Sequence, residues 1–401
     1  MTSGISIYSG VTASGSGSSG SSKYITGTPY TGLVATRGKV MSGGGVSVLQ
    51  HNSRSIHVAR VAITQLGVAL ANWYVTSGEL NGGADCTVQV GIEYPLGTTT
   101  TPITFGGSST GTIYDYGTLY SDLLSINIPA GASFAVREYR VCGSGGSVIY
   151  SGGSSGIGVD TTDGDCYEYG SSLTNRSGAT GTFSSTSTSL YRPLAIFGPT
   201  TLPSYALLGD SRVEGYQDNA LGNLYVGMFE RAVGPTRAFI NFGKGGETIA
   251  QATANNQFAQ RRALINMFCT HILSDYGVND ITSSVGAQTI TSQIMLLRNS
   301  FPTKYWYQTT LDTETTSTDG WTTTVNQTPV NNMTTVRKYI NSLLRAQATN
   351  STLFDGIFDT TTITESSINS GLWVPNFTAD GIHPTPAGYA AIASSGVIKV
   401  V

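Results

Sequence analysis

The sequence predicts a multidomain fold, in which an all-β N-terminal domain precedes an α/β domain with a parallel sheet. Between residues 24 and 197, short runs with alternating apolar and polar positions, such as CTVQVGIEY and SFAVREYRV, are separated by Gly, Ser, Asn and Asp. From residue 198 onwards, short apolar runs alternate with helix-period stretches such as AQTITSQIMLLRNSF. The change of pattern near Pro199 and Pro203 marks the predicted boundary between residues 24–197 and residues 198–401.

The first 23 residues are rich in Gly and Ser and have no apolar periodicity. Such a segment cannot bury enough apolar surface to offset the entropy lost on ordering. Residues 1–23 are therefore predicted to be a flexible tether. They contain neither the basic region nor the apolar region of a secretory signal peptide, so no signal peptide is visible in the sequence.

Each of the two remaining parts has its own sheet pattern. Alternating strands with turn residues between them, and no convincing helical period, predict an antiparallel sandwich or jelly roll for residues 24–197. Strands that alternate with helices predict, for residues 198–401, a parallel sheet covered on both faces. In such a sheet, functional side chains gather at the carboxyl ends of the strands.

Composition excludes several classes of function. Charged residues make up 11% of the chain, the net charge is −3, and Gly and Tyr number 50 and 21. Because no overall positive field attracts phosphates, nucleic-acid binding is disfavoured. No apolar run approaches the roughly 18 residues of a membrane-spanning helix, so no membrane span is expected. A surface of hydroxyls and turns is typical of extracellular or virion-associated proteins, and we expect that location.

The chain has four cysteines, Cys86, Cys142, Cys166 and Cys269, and their spacing matches no metal-binding or redox motif. No metal site is therefore predicted. Cys142 and Cys166 flank a Gly/Ser-rich stretch, and in an oxidising compartment they would be able to form a bridge across it. Free buried thiols are an equally good interpretation, and the sequence leaves both open.

Four short segments carry residues that are suited to nucleophilic chemistry. Gly209-Asp210-Ser211 ends the first strand of the α/β part, and its glycine permits a tight turn. The other three segments follow the second strand, follow the third strand and precede the last helix; they are Asn241-Phe242-Gly243-Lys244-Gly245-Gly246, Tyr276-Gly277-Val278-Asn279-Asp280 and Asp380-Gly381-Ile382-His383-Pro384.

In this order the segments resemble blocks I, II, III and V of the SGNH (GDSL) hydrolase family, over roughly residues 203–401. The resemblance implies a flavodoxin-like three-layer α/β/α sandwich and a serine esterase. It further implies that Ser211 is the nucleophile and that Asp380 and His383 complete the triad. The implied oxyanion donors are Ser211, Gly243 and Asn279, and no metal or organic cofactor is needed.

The residue chemistry agrees with these roles. A serine hydroxyl is a poor nucleophile until a neighbouring imidazole accepts its proton, and an aspartate orients that imidazole. Asp210 is predicted to order the turn, and His271 to be either a core residue or a residue that supports the site from behind, not a catalytic one. Lys244 and Glu247 are interpreted as solvated loop charges without a role.

The substrate is less well defined than the chemistry. Tyr276, Trp321 and Trp373 are candidate sugar-stacking walls, whereas Trp306 fits a core position at least as well. The layout is similar to that of carbohydrate esterases with a jelly-roll domain before an SGNH domain, and to that of phage tail deacetylases. We therefore expect an O-acetyl esterase acting on acetylated polysaccharide.

Two alternatives stay open: a broad-specificity lipolytic or aryl esterase, and a non-catalytic virion or adhesin protein that uses the fold for binding. For the β-rich region we expect glycan binding or anchoring. A homo-oligomer, or attachment to a virion, is compatible with the tether and this β-rich region.

Overall fold

The computed structural model describes residues 23–46, 49–152, 159–186, 189–219, 224–254, 257–349 and 353–401. Residues 1–22 of the predicted tether lie outside the described residues. Within the described ranges, no helix is both long and apolar enough to cross a membrane.

The region before residue 201 is built from short strands. In chain order they are β1 (Tyr30–Leu33), β2 (Gly38–Lys39), β3 (Gly43–Val46), β4 (Gln50–Val58), β5 (Ile63–Ala71), β6 (Trp73–Val75), β7 (Glu79–Asn81), β8 (Cys86–Glu93), β9 (Thr100–Pro102), β10 (Gly111–Ile113), β11 (Thr118–Tyr120), β12 (Leu124–Ile128), β13 (Ser133–Cys142), β14 (Val148–Gly152), β15 (Cys166–Gly170), β16 (Ser189–Leu190) and β17 (Ala195–Thr200).

Two antiparallel sheets make up most of this region. One has the order β1-β17-β5-β11, with β12 also paired to β5; the other has the order β10-β8-β13-β4-β15, with β9 paired to β8. Apolar side chains of β5 and β8, such as Val68 and Val90, belong to one buried cluster. The N-terminal region is therefore strand-rich, as predicted.

The polar positions of the second sheet are also buried, which simple alternation does not predict. Glu93 accepts hydrogen bonds from Arg54 Nε at 2.8 Å and from Arg137 Nη1 at 2.7 Å, and all three side chains are inaccessible. Burial alone would raise the pKa of Glu93, but hydrogen bonds from Arg54, from the Gly97 N–H and from Arg137 lower it to about 2. Arg137 also donates to the Arg176 carbonyl, so a loop covers this face.

The cysteines are all free and buried. Cys142 lies directly opposite Cys86 on neighbouring antiparallel strands, and the neighbouring Cys142 thiol, together with burial, raises the pKa of the Cys86 thiol. Cys166 lies opposite Arg54 on the far side of β4. The four-residue offset between Gln50, next to the Cys142 end of β4, and Arg54 is roughly 13 Å along the strand. A bridge from Cys142 to Cys166 is therefore excluded, since linked Cα atoms lie within about 7 Å.

We expect a thiol oxidant such as diamide to link Cys86 to Cys142, because directly opposed residues on antiparallel strands meet the distance requirement of a disulfide. Peptide mapping by mass spectrometry after oxidation should yield the Cys86–Cys142 peptide pair. Cys166→Ser should leave that product unchanged. Recovery of a Cys142–Cys166 peptide pair would contradict this register.

The region after residue 201 alternates strands and helices. Its strands are β18 (Ser204–Gly209), β19 (Ala238–Asn241), β20 (His271–Asp275), β21 (Tyr305–Thr309), β22 (Thr315–Ser317), β23 (Gln327–Pro329) and β24 (Gly356–Phe358). Its helices are α1 (Ser211–Glu214), α2 (Gly227–Val233), α3 (Ile249–Thr253), α4 (Ala259–Phe268), α5 (Val278–Thr282), α6 (Ala287–Asn299), α7 (Lys338–Thr349), α8 (Thr361–Thr364) and α9 (Pro386–Ser394), with a π-helical turn at Met333–Arg337 before α7.

A six-stranded sheet with the order β2-β19-β18-β20-β21-β24 organises this region, and every pair in it is parallel. Its first strand comes from the N-terminal region, because Gly38 and Lys39 pair with Ile240 and Asn241. The predicted boundary at residue 198 is therefore not a boundary between sheets.

Alternate residues of the central strands belong to two separate hydrophobic clusters. Ala206 and Leu208 of β18 pack in the cluster that also contains residues of α4, α6 and α7. Tyr205 and Leu207 pack instead with residues of α2 and α9. Because successive side chains of a strand point to opposite faces, helices cover both faces of this sheet.

Candidate active site

The turn after β18 presents Ser211 at the carboxyl edge of the sheet. A β-carbon on Gly209 would overlap the Val213 side chain, so only glycine fits there. Asp210 caps α1, since its Oδ1 accepts from the Arg212 N–H at 3.0 Å. Ser211 is thus the first residue of a short helix, and its N–H makes no hydrogen bond within the described part of the chain.

The hydroxyl of Ser211 joins a hydrogen-bonded chain of three side chains. Ser211 Oγ lies 2.7 Å from His383 Nε2, and His383 Nδ1 lies 2.7 Å from Asp380 Oδ2. The ring of Tyr216 packs against the imidazole, with 4.5 Å between the ring centroids. The three residues predicted as a triad are therefore brought together in the order that nucleophilic catalysis needs.

Asp380 is held by more than the imidazole. Its Oδ1 accepts from the N–H groups of Ile382 and His383, both at 2.8 Å, and its Oδ2 accepts from Gln217 Nε2 at 2.8 Å. Burial alone would raise the pKa of Asp380, but the His383 side chain and these backbone N–H groups lower it to about 2. The carboxylate is therefore charged at neutral pH.

Glycine also shapes the loop that carries the acid and the imidazole. Gly381 has a φ of +80°, and a β-carbon on it would collide with the Thr315 carbonyl oxygen. The Gly381 carbonyl accepts from Trp373 Nε1 at 3.0 Å. The chain can turn between Asp380 and His383 because residue 381 has no side chain.

Arg212 links the nucleophile turn to this loop. Its Nε and Nη2 donate to the Ile382 carbonyl at 3.1 and 2.9 Å, and Nη2 also lies 3.4 Å from the Thr313 carbonyl oxygen. The side chain is fully buried. Since Ile382 immediately precedes His383, the fork of Arg212 fixes the imidazole relative to Ser211. Nothing in the sequence pattern around Arg212 predicts this role.

Four carboxylates surround this guanidinium. Burial alone would lower the pKa of Arg212, but the charges of Asp312, Asp210, Asp275 and Glu314 raise it. Burial, together with the charge of Asp210, raises the pKa of Asp275 to about 8. Burial among like charges therefore disfavours the ionised form of Asp275.

Replacing Arg212 by lysine should lower kcat by about 10- to 100-fold with little change in KM, because an ammonium group cannot make the paired contact to the Ile382 carbonyl. Steady-state kinetics with an aryl acetate would measure this. Arg345→Lys, which breaks a two-pronged contact to Asp359, is the matched control. Equal kcat values for the two variants would contradict the positioning role.

The loop after β19, residues 242–248, is called the glycine loop below. The N–H of Gly243 donates to Asn241 Oδ1 at 2.8 Å and is buried, which argues against its predicted role as an oxyanion donor. The Gly245 N–H donates to Glu214 Oε2 at 2.7 Å. Gly246 is exposed, has a φ of +78°, and its N–H makes no hydrogen bond within the described residues. The adjacent glycines 245 and 246 were the sequence signal for this turn.

The glycine loop lies against the nucleophile. A β-carbon on Gly245 would be 3.6 Å from Ser211 Cβ. Asn279, near the start of α5, donates from Nδ2 to the Glu247 carbonyl at 3.1 Å and to Asp210 Oδ2 at 3.3 Å. One amide therefore ties together the segments that follow β18, β19 and β20.

Two of the three predicted sugar-stacking residues cannot contact a substrate. Tyr276 and Trp373 are both fully buried, and Tyr276 donates its hydroxyl hydrogen to Glu247 Oε2 at 2.7 Å. Trp306 is also buried, as a core residue would be. Trp321 is partly exposed, and its ring edge would lie 2.8 Å from a β-carbon on Gly381. Of the predicted set, only Trp321 therefore faces solvent beside the loop that carries His383.

Two other assignments can be compared with the structure. His271 is buried among tyrosine rings, as predicted for a core residue, and burial lowers its pKa to about 4. Glu247 is not a solvated loop charge: it is fully buried and paired with Arg261. In the described ranges, no cluster of three or more His, Cys, Asp or Glu side chains is arranged to hold a metal ion.

A serine, an imidazole and a carboxylate in one hydrogen-bonded chain, at the carboxyl edge of a parallel sheet, define a site of the serine-hydrolase class. Residues 207–391 match the sequence model of the GDSL-like lipase/acylhydrolase family. The match lies in the C-terminal part of the chain and covers somewhat less than half of it. A comparison with curated proteins found no match.

Several solved structures are similar to about half of the chain. A catalytic mutant of an acetylxylan esterase from Geobacillus stearothermophilus is 16% identical, with 48% of this chain and 91% of that chain covered and a TM-score of 0.34. A carbohydrate acetylesterase from Sinorhizobium meliloti is 13% identical, with coverages of 49% and 96% and a TM-score of 0.34. A lipase/acylhydrolase from Enterococcus faecalis is 16% identical, with coverages of 49% and 94% and a TM-score of 0.34.

Proposed function

We propose that the protein is a serine esterase that cleaves carboxylic esters through an acyl-enzyme intermediate, with Ser211, His383 and Asp380 as its catalytic triad. The observation that carries the proposal is the hydrogen-bonded chain from Ser211 Oγ through His383 to Asp380. A metal or cofactor is not needed for this chemistry.

In the proposed mechanism, each proton has a defined path. Ser211 Oγ attacks the ester carbonyl while His383 Nε2 accepts its proton, and the imidazolium then gives that proton to the departing alcohol oxygen. Water attacks the acyl-serine in the second half-reaction, with His383 again accepting a proton and returning it to Ser211. Asp380 holds Nδ1 protonated and stabilises the imidazolium.

The donors that we propose for the tetrahedral oxyanion differ in one residue from those predicted from the sequence. The N–H groups of Ser211 and Gly246 have no other partner in the described residues, whereas that of Gly243 is occupied by Asn241. Asn279 Nδ2 supplies a third donor when its longer bond, to Asp210, is exchanged for the oxyanion. We therefore propose Ser211, Gly246 and Asn279 as the oxyanion hole.

Asn279→Ala should reduce kcat by about 10²–10³-fold, because one preorganised donor is lost where charge develops. KM for an aryl acetate should change much less, since the ground-state carbonyl carries little charge. Steady-state kinetics, with thermal unfolding to check the fold, would measure this. A kcat within threefold of wild type would remove Asn279 from the oxyanion hole.

For the substrate we propose an O-acetyl group on a polysaccharide, in an extracellular or virion-associated setting. The partial exposure of Trp321 beside the His383 loop supports this, since an aromatic face stacks on sugar rings. The close approach of Gly245 to Ser211 favours a small acyl group. The N-terminal sheets would then bind glycan or anchor the protein.

Acetate release from acetylated xylan or an acetylated capsule, compared with hydrolysis of p-nitrophenyl esters of increasing chain length, tests both levels of the proposal. A fluorophosphonate should label wild type at Ser211 and leave Ser211→Ala unlabelled. Trp321→Ala should raise KM for the polysaccharide and not for p-nitrophenyl acetate. A preference for long acyl chains would instead indicate a lipolytic enzyme, and neither labelling nor hydrolysis would indicate a binding protein.

A further inference from the structure

A carboxylate from the N-terminal region caps a helix of the C-terminal region. Helix α4 has Phe258 at its N-cap, and that residue makes no side-chain capping bond. Glu79 of β7 takes this place: its Oε2 accepts from the Gln260 N–H at 2.8 Å and its Oε1 from the Arg261 N–H at 2.9 Å. Tyr116 donates to the same carboxylate at 3.0 Å. Glu79 therefore neutralises the amino end of α4 from outside the helix.

The same carboxylate also reaches the side chain of Arg261, whose Nε lies 3.3 Å from Glu79 Oε1. The remaining two guanidinium nitrogens of Arg261 form a two-pronged contact with Glu247, with both distances 2.8 Å. Arg261 and Glu247 are fully buried, and Glu79 is 7% exposed. Charge-assisted bonds of this geometry, shielded from water, are strong and directional.

Glu247 belongs to the glycine loop. It directly follows Gly246, and its carbonyl accepts the Asn279 amide at 3.1 Å. Its carboxylate is held by Arg261, and Tyr276 donates to it at 2.7 Å. Glu247 thus fixes both proposed donors that lie outside the nucleophile turn: the Gly246 N–H through the chain, and Asn279 through a hydrogen bond.

We propose that Glu79 is a positioning residue for the oxyanion hole, acting through Arg261 and Glu247, so that the N-terminal β region forms part of the catalytic scaffold. The proposal rests on the esterase function proposed above. A second buried contact also connects the N-terminal region to the glycine loop. Lys39 of β2 donates to the Glu214 carbonyl at 2.9 Å, and the Glu214 side chain accepts from the Gly245 N–H.

The test uses the full chain with Glu79→Gln. The glutamine removes the charge and places an amide donor against N–H groups that need an acceptor, so the glycine loop loses its support. We expect kcat for p-nitrophenyl acetate to fall about tenfold with KM within about twofold. Amide hydrogen exchange of residues 242–248 should rise at least about tenfold in the same variant.

Tyr30→Phe is the matched control. Tyr30 also joins the two regions, through its hydroxyl contacts to the Leu202 carbonyl at 2.8 Å and Ser204 Oγ at 2.7 Å, but at the opposite end of β18 from Ser211. The Tyr30→Phe variant should be less stable than wild type but should have the same kcat and the same amide hydrogen exchange in the glycine loop. If Glu79→Gln does not fold, Arg261→Lys tests the same path, since it keeps the charge but loses the fork to Glu247.

A double-variant cycle separates positioning from general destabilisation. If Glu79 acts through the oxyanion donors, its replacement should cost less than threefold in kcat in an Asn279→Ala background. The inference would be overturned if the double variant lost the product of the two single-variant reductions in kcat. Equal kcat values for Glu79→Gln and Tyr30→Phe would also overturn it. A wild type that neither hydrolyses esters nor reacts with phosphonate would overturn the esterase function itself, whereas the exchange comparison would still decide whether Glu79 supports the loop.

Discussion

His383→Ala is expected to lower kcat on the order of 10⁴-fold or more, because His383 is the only group among the described residues that makes a hydrogen-bond contact with Ser211 Oγ and can accept its proton. KM should change little, since the imidazole contributes to proton transfer rather than to ground-state binding. Steady-state kinetics on p-nitrophenyl acetate would measure the loss. Thermal unfolding should show that the variant is folded.

Added imidazole offers an internal control for this result. Removing the ring leaves a space beside Tyr216, and Asp380 remains held by the Ile382 N–H and Gln217. Free imidazole should therefore restore part of the activity of His383→Ala, and none of that of Ser211→Ala. A His383→Ala variant within tenfold of wild type would remove His383 from the proposed triad.

The meeting of Ser211, the glycine loop and Asn279 at one edge of the sheet can be predicted from the sequence, for a physical reason. In a parallel sheet, the ends of adjacent strands lie at one edge, so short segments that end three successive strands must meet there. Ser211 follows β18, the glycine loop follows β19, and Asn279 follows β20, and these three strands are neighbours. Separation in the chain was no obstacle, because the topology supplies the proximity.

The oxyanion donor was harder to choose. The glycine loop contains three glycines, and the sequence does not show which N–H is free. In the structure, the Gly243 N–H donates to Asn241 and the Gly245 N–H donates to Glu214. Of the three glycine N–H groups, only that of Gly246 has no partner in the described residues. The side chains of Asn241 and Glu214 are buried polar groups, and their hydrogen-bond partners depend on three-dimensional packing. The local spacing of residues in the sequence does not predict these partners.

The predictions that required an aromatic side chain to be exposed to solvent were wrong for Tyr276 and Trp373. Tyr276 and Trp373 lie in loop segments next to site residues, which favoured a substrate contact, yet both are buried and bonded to the backbone or side chains that shape the site. Trp373 holds the Gly381 carbonyl, and Tyr276 holds Glu247. Proximity in sequence therefore identified residues that support the site rather than residues that line it.

The predicted division into domains at residue 198 misses contacts between the two regions, which no local sequence pattern predicts. The two-residue strand β2 carries no recognisable strand signal, yet it forms the edge of the parallel sheet. The buried ion pairs Arg261–Glu79 and Lys39–Glu230 cross the predicted boundary at residue 198. Such long-range pairs connect residues nearly 200 positions apart, so only the folded chain shows that the two regions share one interior.

Asp380→Asn is expected to lower kcat by about 10⁴-fold at neutral pH, because an asparagine amide favours the wrong tautomer of His383 and cannot stabilise the imidazolium. The pH dependence of stability provides a second readout. The hydrogen bonds from His383 and the adjacent backbone lower the pKa of Asp380 to about 2 in the folded protein, despite burial that would raise it. A depressed pKa means that the carboxylate stabilises the fold above its unfolded pKa of about 4.

This contribution should be fully present from about pH 5 upwards and should disappear as the pH falls through about 2. Urea unfolding between pH 7 and pH 2.5 should therefore give a difference in the free energy of unfolding between wild type and Asp380→Asn. This difference should be constant down to about pH 4 and should become smaller below that pH. The difference should be modest, since the carboxylate is partly exposed to solvent. A difference that vanished already between pH 7 and pH 5 would contradict the hydrogen-bonded, ionised state of Asp380, and with it the orientation of His383 towards Ser211.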